Sequence, residues 1–380
     1  MVKPSRACTF CVMDESGPTL DFDARGECDC CRNARARMGS EWFPTAEGER
    51  RLRMLTEQIA GESRRRPYDA IIGLSGGTDS AYLAHVLATR FRLRLLAIHV
   101  DGGWNTEPAV HNIERLVRAL GLDLYTYVVE WQEMRDVQLA FLRASVLNQD
   151  IPQDHAFFTT LYRTAETFNV RHFLSGVNFA SECISLPGWG YPNLDGRHIR
   201  GIHRRFGSRP LETFPVMDVT EYIWRTSVSR RLEIHRPLNF LDYDKDAARL
   251  ELEREYGFKD YGSKHHESRF TRFYQEVYLP ARYGFDKRRL HLSSQIVAGH
   301  LNRDSALAAL QIPACDANSA RLQTAFVAKK LGVSPKELEA LIALPPVPHE
   351  RYPGARGLVD LGVLAKSWAR RARQRLVRAT

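Results

Sequence analysis

Short apolar runs alternate along this chain with stretches whose apolar residues recur at helical spacing. AIIGL (70–74) is a continuous apolar run, the pattern of a strand buried on both faces. DSAYLAHVLATRF (79–91) follows, and its apolar residues at 83, 86 and 87 predict a helix. LRLLAIHVD (93–101) predicts a second strand, and EPAVHNIERLVRALGL (107–122) a second helix that stops near Gly121. LYTYVV (124–129) and, after a helical stretch, VRHFLSG (170–176) predict two more strands. Strands alternating with helices imply an α/β fold, a parallel sheet with helices on both faces. Such sheets bind ligands at the carboxyl ends of their strands. Three loops fall there: SGGTDS after the first strand, Asp101-Gly102-Gly103, and Ser175-Gly176.

Around this core the chain divides into four segments. Residues 1–45 form a cysteine-bearing head, about 46–235 the α/β domain, about 236–345 a mostly helical region, and 346–380 a proline-rich break followed by a basic tail. No internal repeat or low-complexity tract interrupts them.

Composition narrows the class. Hydrophobic residues make up 44% and charged residues 26%, as in soluble globular proteins. MVKPSRACTF lacks the apolar core of a secretory signal, and no apolar run reaches membrane-spanning length, so the cytoplasm is expected. The net charge of +9 first suggests an anionic partner. Residues 351–380 carry eight Arg or Lys and one Asp, which is +7, leaving only +2 for the rest of the chain. Nucleic acid is therefore disfavoured. The tail reads first as a solvated helix or disordered end, with membrane phosphates, RNA or an acidic partner as alternatives.

The stretch SGGTDS holds the first candidate chemistry. Gly76 and Gly77 can take positive φ and let backbone N–H groups approach a ligand. A helix starting near Thr78 adds unpaired N–H groups and a positive dipole end. Ser75, Thr78 and Ser80 add hydroxyls, which together make a nest for phosphate. Asp79 beside phosphate makes sense if Mg²⁺ binds as well. The bland alternative is a Gly-Gly turn with Asp79 capping the helix. Neither the Walker pattern GxxxxGK[ST] nor GxGxxG is present. The stretch resembles the PP-loop of the ATP pyrophosphatase superfamily, whose fold is of the adenine nucleotide alpha hydrolase type. The resemblance implies cleavage of ATP between its α and β phosphates.

Five of the seven cysteines lie in the first 31 residues. Cys8-x₂-Cys11 and Cys28-x₂-Cys31, sixteen residues apart, suit one tetrahedral Zn²⁺ with four thiolate ligands. A closed four-sulfur site has no open position, so it reads as structural, a zinc-ribbon-like head whose metal replaces a core. Cys30 is a spectator that could substitute for a neighbour. Further on, SGVNFASE (175–182) brings Glu182, either a solvated loop acid or a second group near magnesium or substrate. Cys183 reads as an ordinary thiol. In the block 261–307, Lys264, Arg269, Lys287, Arg288 and Arg289 are candidates for pyrophosphate or a nucleotide-sugar diphosphate. His265, His266 and His291 there lack zinc spacing and read as hydrogen-bonding groups.

The four-cysteine head, SGGTDS, SGVNFASE, DGRHIRGIHRRFG (195–207), KHHES, LPARYGFDKRR and HLSSQIVAGHLNRDSAL together resemble the N-acetyl sugar amidotransferase family of bacterial surface-polysaccharide biosynthesis, from about residue 6 to about 312. The resemblance implies ATP, Mg²⁺ and structural Zn²⁺. By position, Asp79, Glu182, Lys264 and His265 become the catalytic candidates. Ser75, Gly76, Gly77, Thr78, Asp79, Ser80, Asp101 and Gly176 become the nucleotide-binding ones. The implied reaction converts the acetamido group of a nucleotide-linked sugar to an acetamidino group in lipopolysaccharide (O-antigen) synthesis. No nucleophile elbow of the GxCxG kind is present and cysteine is not the second residue, so ammonia should come from a separate glutaminase. The family implies a channelling subunit with it. The alternatives are a tRNA-modifying PP-loop enzyme of the thiolase kind, and a zinc-stabilised binding module without catalysis.

Overall fold

Residues 70–73 form the centre of the sheet because their side chains alternate between two apolar cores. The computed structural model describes residues 6–16, 20–186, 191–229, 231–259 and 266–361. The strands are β1 (Ala70–Gly73), β2 (Leu95–Asp101), β3 (Asp123–Val128), β4 (His172–Leu174) and β5 (Glu233–His235). All pair in parallel, in the order β3-β2-β1-β4-β5. On one face Ala70 and Ile72 pack with Leu52 and Ile59 of helix α2 (Ala46–Glu62), which follows α1 (Asp29–Glu41). Leu83 and Leu87 of α3 (Thr78–Thr89) and Ile113 of α4 (Glu107–Leu120) complete that core. On the other face Ile71, Leu96 and Ile98 meet Leu161 and Tyr162 of α6 (Ile151–Thr167), which follows α5 (Trp131–Ala144). The expected helices on both faces are therefore present.

Two departures from the sequence pattern have physical causes. The third strand is an edge: among the described residues it pairs only with β2, and Leu124, Tyr125 and Val128 are exposed. A fifth strand, β5, escaped the reading because EIH is short and polar, and only pairing with β4 defines it.

The chain runs outward through β1, β2 and β3, then returns to place β4 against the other side of β1. The loops after β1 and β4 thus diverge around a crevice at the switch point, where parallel sheets take their ligands. Beyond β5, Leu238, Leu241, Tyr243 and Leu252 join the α2/α3 core. The cysteine head shares a core with the later helices, through Phe270, Phe273, Phe285 and Leu290. Trp42 stacks on Phe179 at 5.7 Å between them. Among the described residues no helix is long and apolar enough to cross a membrane.

Candidate active site

The loop between β1 and α3 departs from the expected geometry in an informative way. Gly76 has φ +84°, and a Cβ there would lie 2.6 Å from the carbonyl oxygen of Ala109. Only glycine meets both demands. Gly77, by contrast, is extended at φ −83° and forms the N-cap of α3. Ser75 Oγ accepts from the Gly77 N–H at 3.2 Å, and Ser80 Oγ donates to the Gly77 carbonyl at 3.2 Å. These two hydroxyls brace the loop, and both residues also line the cavity described below. Asp79 sits in the first turn of α3 and does not cap it. Its carboxylate accepts a hydrogen bond from the Tyr243 hydroxyl.

The loop after β4 presses on this one. A Cβ on Gly176 would stand 3.1 Å from the Ser80 nitrogen and 3.3 Å from the Asp79 carbonyl carbon. Helix α7 (Phe179–Glu182) follows, capped by Asn178, whose side chain accepts from the Ser181 N–H at 2.9 Å. That short helix carries Glu182 into the wall of a cavity of about 620 Å³ that Ser75 and Gly77 through Ser80 also line. A volume of this size is ordinary for a small-molecule site.

Most other sequence candidates can be located. Gly176 lines the cavity. Asp101 does not: its carboxylate accepts from the Gly103 N–H at 2.7 Å and the Asn105 amide at 3.1 Å, holding the turn after β2. Lys264 and His265 lie outside the described residues, as does the basic tail from residue 362. Arg288 is bound to Asp286 at 2.6 Å, and Arg289 pairs with Asp14 at 2.8 Å and donates to the Val12 carbonyl at 2.6 Å. Both make their contacts within the scaffold, and neither lines the cavity. Arg269 lies 4.1 Å from the centre of the Phe326 ring. Lys287 lines the cavity. His266 meets Glu276 at 3.0 Å, and His291 Nδ1 lies 3.4 Å from the Ser181 carbonyl, as expected of hydrogen-bonding groups. Burial pushes the Cys183 thiol up to about 11, consistent with an inert cysteine.

Several lining residues carried no motif. Asp150 and Asp154 lie four positions apart at the start of α6. Burial, then the Asp154 charge, pushes the Asp150 carboxyl up to about 8. Lys245 reaches the cavity from the helix Lys245–Tyr256, and His99 from β2, its Nδ1 2.9 Å from the Leu74 carbonyl. Proximity of sequence could not reveal these, because the topology alone assembles them. A weak signal existed for Asp150, in the D-I-P sequence that reads as a helix start.

The head is built differently. Cys8, Cys11, Cys28 and Cys31 are all buried, with ligand atoms within 4.8 Å of one another. Cys11 N–H and Cys28 N–H point at Cys8 Sγ at 3.4 and 3.2 Å, and Cys31 N–H at Cys28 Sγ at 3.4 Å. Such donors stabilise negative sulfur, so the set fits a thiolate-bound Zn²⁺. Cys30 instead points its sulfur at the Ser185 carbonyl, 3.4 Å away, which identifies Cys31 as the fourth member. Arg303 donates to the carbonyls of Cys8 and Cys11 at 2.9 and 3.1 Å.

Residues 267–364 match the family described as LPS biosynthesis protein WbpG-like, C-terminal domain. This region is WbpG-like. The match bears out the resemblance to a surface-polysaccharide family, and the WbpG-like segment supplies Ser268, Thr271, Tyr274, Lys287 and His291 to the cavity wall. Solved structures with partial overlap include NMN synthetase from Francisella tularensis, at 17% identity over 67% of this chain and 92% of that one, with a TM-score of 0.32. NH3-dependent NAD synthetase from Campylobacter jejuni overlaps at 13% identity over 67% of this chain and 94% of its own, with a TM-score of 0.32. No curated protein matches the chain.

Proposed function

We propose that this protein is an ATP-dependent N-acetyl sugar amidotransferase of lipopolysaccharide synthesis. It would convert the acetamido group of a nucleotide-linked sugar to an acetamidino group. The observation that carries this reading is a convergence. The SGGTDS loop at the switch point and the WbpG-like segment line one cavity.

An amide carbonyl is a poor electrophile, and its oxygen a poor leaving group. Transfer of AMP from ATP to that oxygen, with release of pyrophosphate, gives an imidate with a good leaving group. Ammonia adds to the carbon, and AMP departs with the oxygen. The N–H groups at the start of α3 would bind phosphate, and Gly76 allows the loop to approach it closely. Asp79 and Glu182 supply the carboxylate oxygens that Mg²⁺ prefers, and the ion when bound would neutralise charge on the phosphates. Tyr243 would hold Asp79 in place. Lys245 and Lys287 offer the cations that Lys264 was expected to provide, for the charge that develops during phosphoryl transfer. A proton must leave the attacking nitrogen. The Asp150–Asp154 pair, which lines the cavity, would accept it. Ammonia would arrive from a separate glutaminase through a channelling partner, and Zn²⁺ in the head would be structural.

The test is incubation with ATP, Mg²⁺, ammonium and UDP-linked N-acetylated sugars. Release of AMP and pyrophosphate, with a sugar product one mass unit lighter (NH in place of O), is expected. Sugar-independent ATP breakdown, or none with any such sugar, would overturn the reading.

A further inference from the structure

A second group of metal-binding side chains lies away from both the head and the cavity. His172 opens β4, and Glu233 and His235 lie on β5, with His172 in register with Glu233. Glu233 and His235, two positions apart, project to one side of their strand, where His172 meets them. His172 Nδ1, His235 Nε2 and Glu233 Oε2 form a triangle with sides of 3.2, 3.9 and 4.0 Å. The point equidistant from its corners lies about 2.2 Å from each atom, close to the roughly 2.0–2.2 Å that Zn²⁺ keeps to imidazole nitrogen and carboxylate oxygen. No side chain need move far to reach an ion there.

The surroundings favour the ligating form. The Glu62 carboxylate stands 3.3 Å from His172 Nε2, on the far side of the ring. Its charge would favour the tautomer with the ring proton on that nitrogen, leaving the Nδ1 lone pair for an ion in the triangle, as in carboxylate–histidine–metal arrangements. Arg171 holds Glu62 at 3.2 Å and Glu233 at 2.5 Å, fixing both carboxylates. His172 is fully buried, whereas His235 and Glu233 remain partly open to solvent, which gives an ion a route in and leaves room for water as a further ligand.

We propose that His172, Glu233 and His235 form a second metal site, taking a divalent transition ion, Zn²⁺ first, and pinning β5 to the sheet. Two imidazoles and a carboxylate suit Zn²⁺ better than Mg²⁺ or Ca²⁺, which want oxygen ligands. The mechanical benefit is clear from the topology. β5 is a three-residue edge strand, and eight positions on, past the 3-10 helix Pro237–Phe240, the chain reaches Tyr243, the partner of Asp79. The proposal does not depend on the reading of the cavity as an ATP site.

The test uses full-length protein that retains its thiolate-bound metal, titrated with Zn²⁺ by calorimetry, with total zinc counted by elemental mass spectrometry. One saturable equivalent beyond the head is expected. His235→Gln and Glu233→Gln, each losing one ligand, should weaken that uptake at least ten-fold while leaving the head metal in place. Circular dichroism identifies any variant that fails to fold, and the other then carries the test. Co²⁺ added to the second site should give d–d bands without thiolate charge transfer, and hydrogen exchange at Ile234 and His235 should slow when the ion binds. Absence of saturable uptake at micromolar Zn²⁺, or uptake untouched by both substitutions, would show that the cluster is a hydrogen-bonded imidazole pair.

Discussion

The cysteine head and the crevice at the switch point bring polar groups together by opposite routes. The head takes its four thiols from 24 consecutive residues, Cys8 to Cys31, and needs little besides local turns to assemble them. The crevice draws Asp79, Asp150, Glu182, Lys245 and Lys287 from more than half the length of the chain, and only the completed sheet makes them neighbours. A local site should stand or fall with its ligand. A dispersed one should tolerate the loss of single groups structurally while losing its chemistry. Stability and turnover should therefore respond in opposite ways to substitutions in the two regions.

The largest effect is expected at the head. Cys28→Ser should abolish Zn²⁺ binding by the head and destabilise the Zn²⁺-loaded chain by more than about 4 kcal/mol, since structural zinc, where bound, contributes folding energy directly. Thermal unfolding together with a zinc count checks this, and an unchanged melting temperature would break the contrast. Asp79→Ala should do the reverse. Turnover should fall by roughly 100- to 1,000-fold, as when a main electrostatic group is removed from an active site, while stability moves by about 1 kcal/mol or less. Pyrophosphate release and the unfolding midpoint measure the two sides of that claim.

Asp150 sharpens the contrast through pH. Its folded-state value near 8 lies above the unfolded value of about 3.9, so the native state holds the proton more tightly. The resulting stability is fully present below the unfolded value and is lost as pH rises through about 8. Asp150→Asn does not titrate, so its stability relative to the wild type should rise between about pH 4 and 8 and level off above, by an amount on the order of 5 kcal/mol. Denaturant titrations across that range check the slope, and a flat difference would remove the perturbed carboxyl. The smallest effect belongs to Tyr243→Phe. Losing one hydrogen bond to Asp79 should slow turnover several-fold and lower stability by about 1 kcal/mol.

Legibility followed the same division. The strands near 70, 95, 124 and 172, the cysteine pairs and the SGGTDS loop could all be read, because each signal lies within a few residues. Tyr243, Lys245 and Asp154 could not, because only the fold brings them to the cavity or its loop, Tyr243 meeting Asp79 across 164 residues, and Asp150 left no more than a helix-start signal. Asp101 ends a strand at the carboxyl edge of the sheet, and contacts the pattern could not show, from the Gly103 N–H and the Asn105 amide, tie its Oδ1 to the turn it starts. Arg288 and Arg289 sit in a stretch dense with charge, but acidic and carbonyl partners supplied by the fold occupy them. β5 is too short and polar to carry a pattern of its own.

The helix Arg288–Ala298 has a practical consequence for anyone redesigning this chain. Arg289 and Ser293 grip the loop after Cys11, while Leu290 and His291 face the cavity. A protein trimmed to the sheet and its SGGTDS loop would look tidy on paper, but the cut would take away the footing of one wall. Shortening from the amino end should be planned as surgery on the pocket.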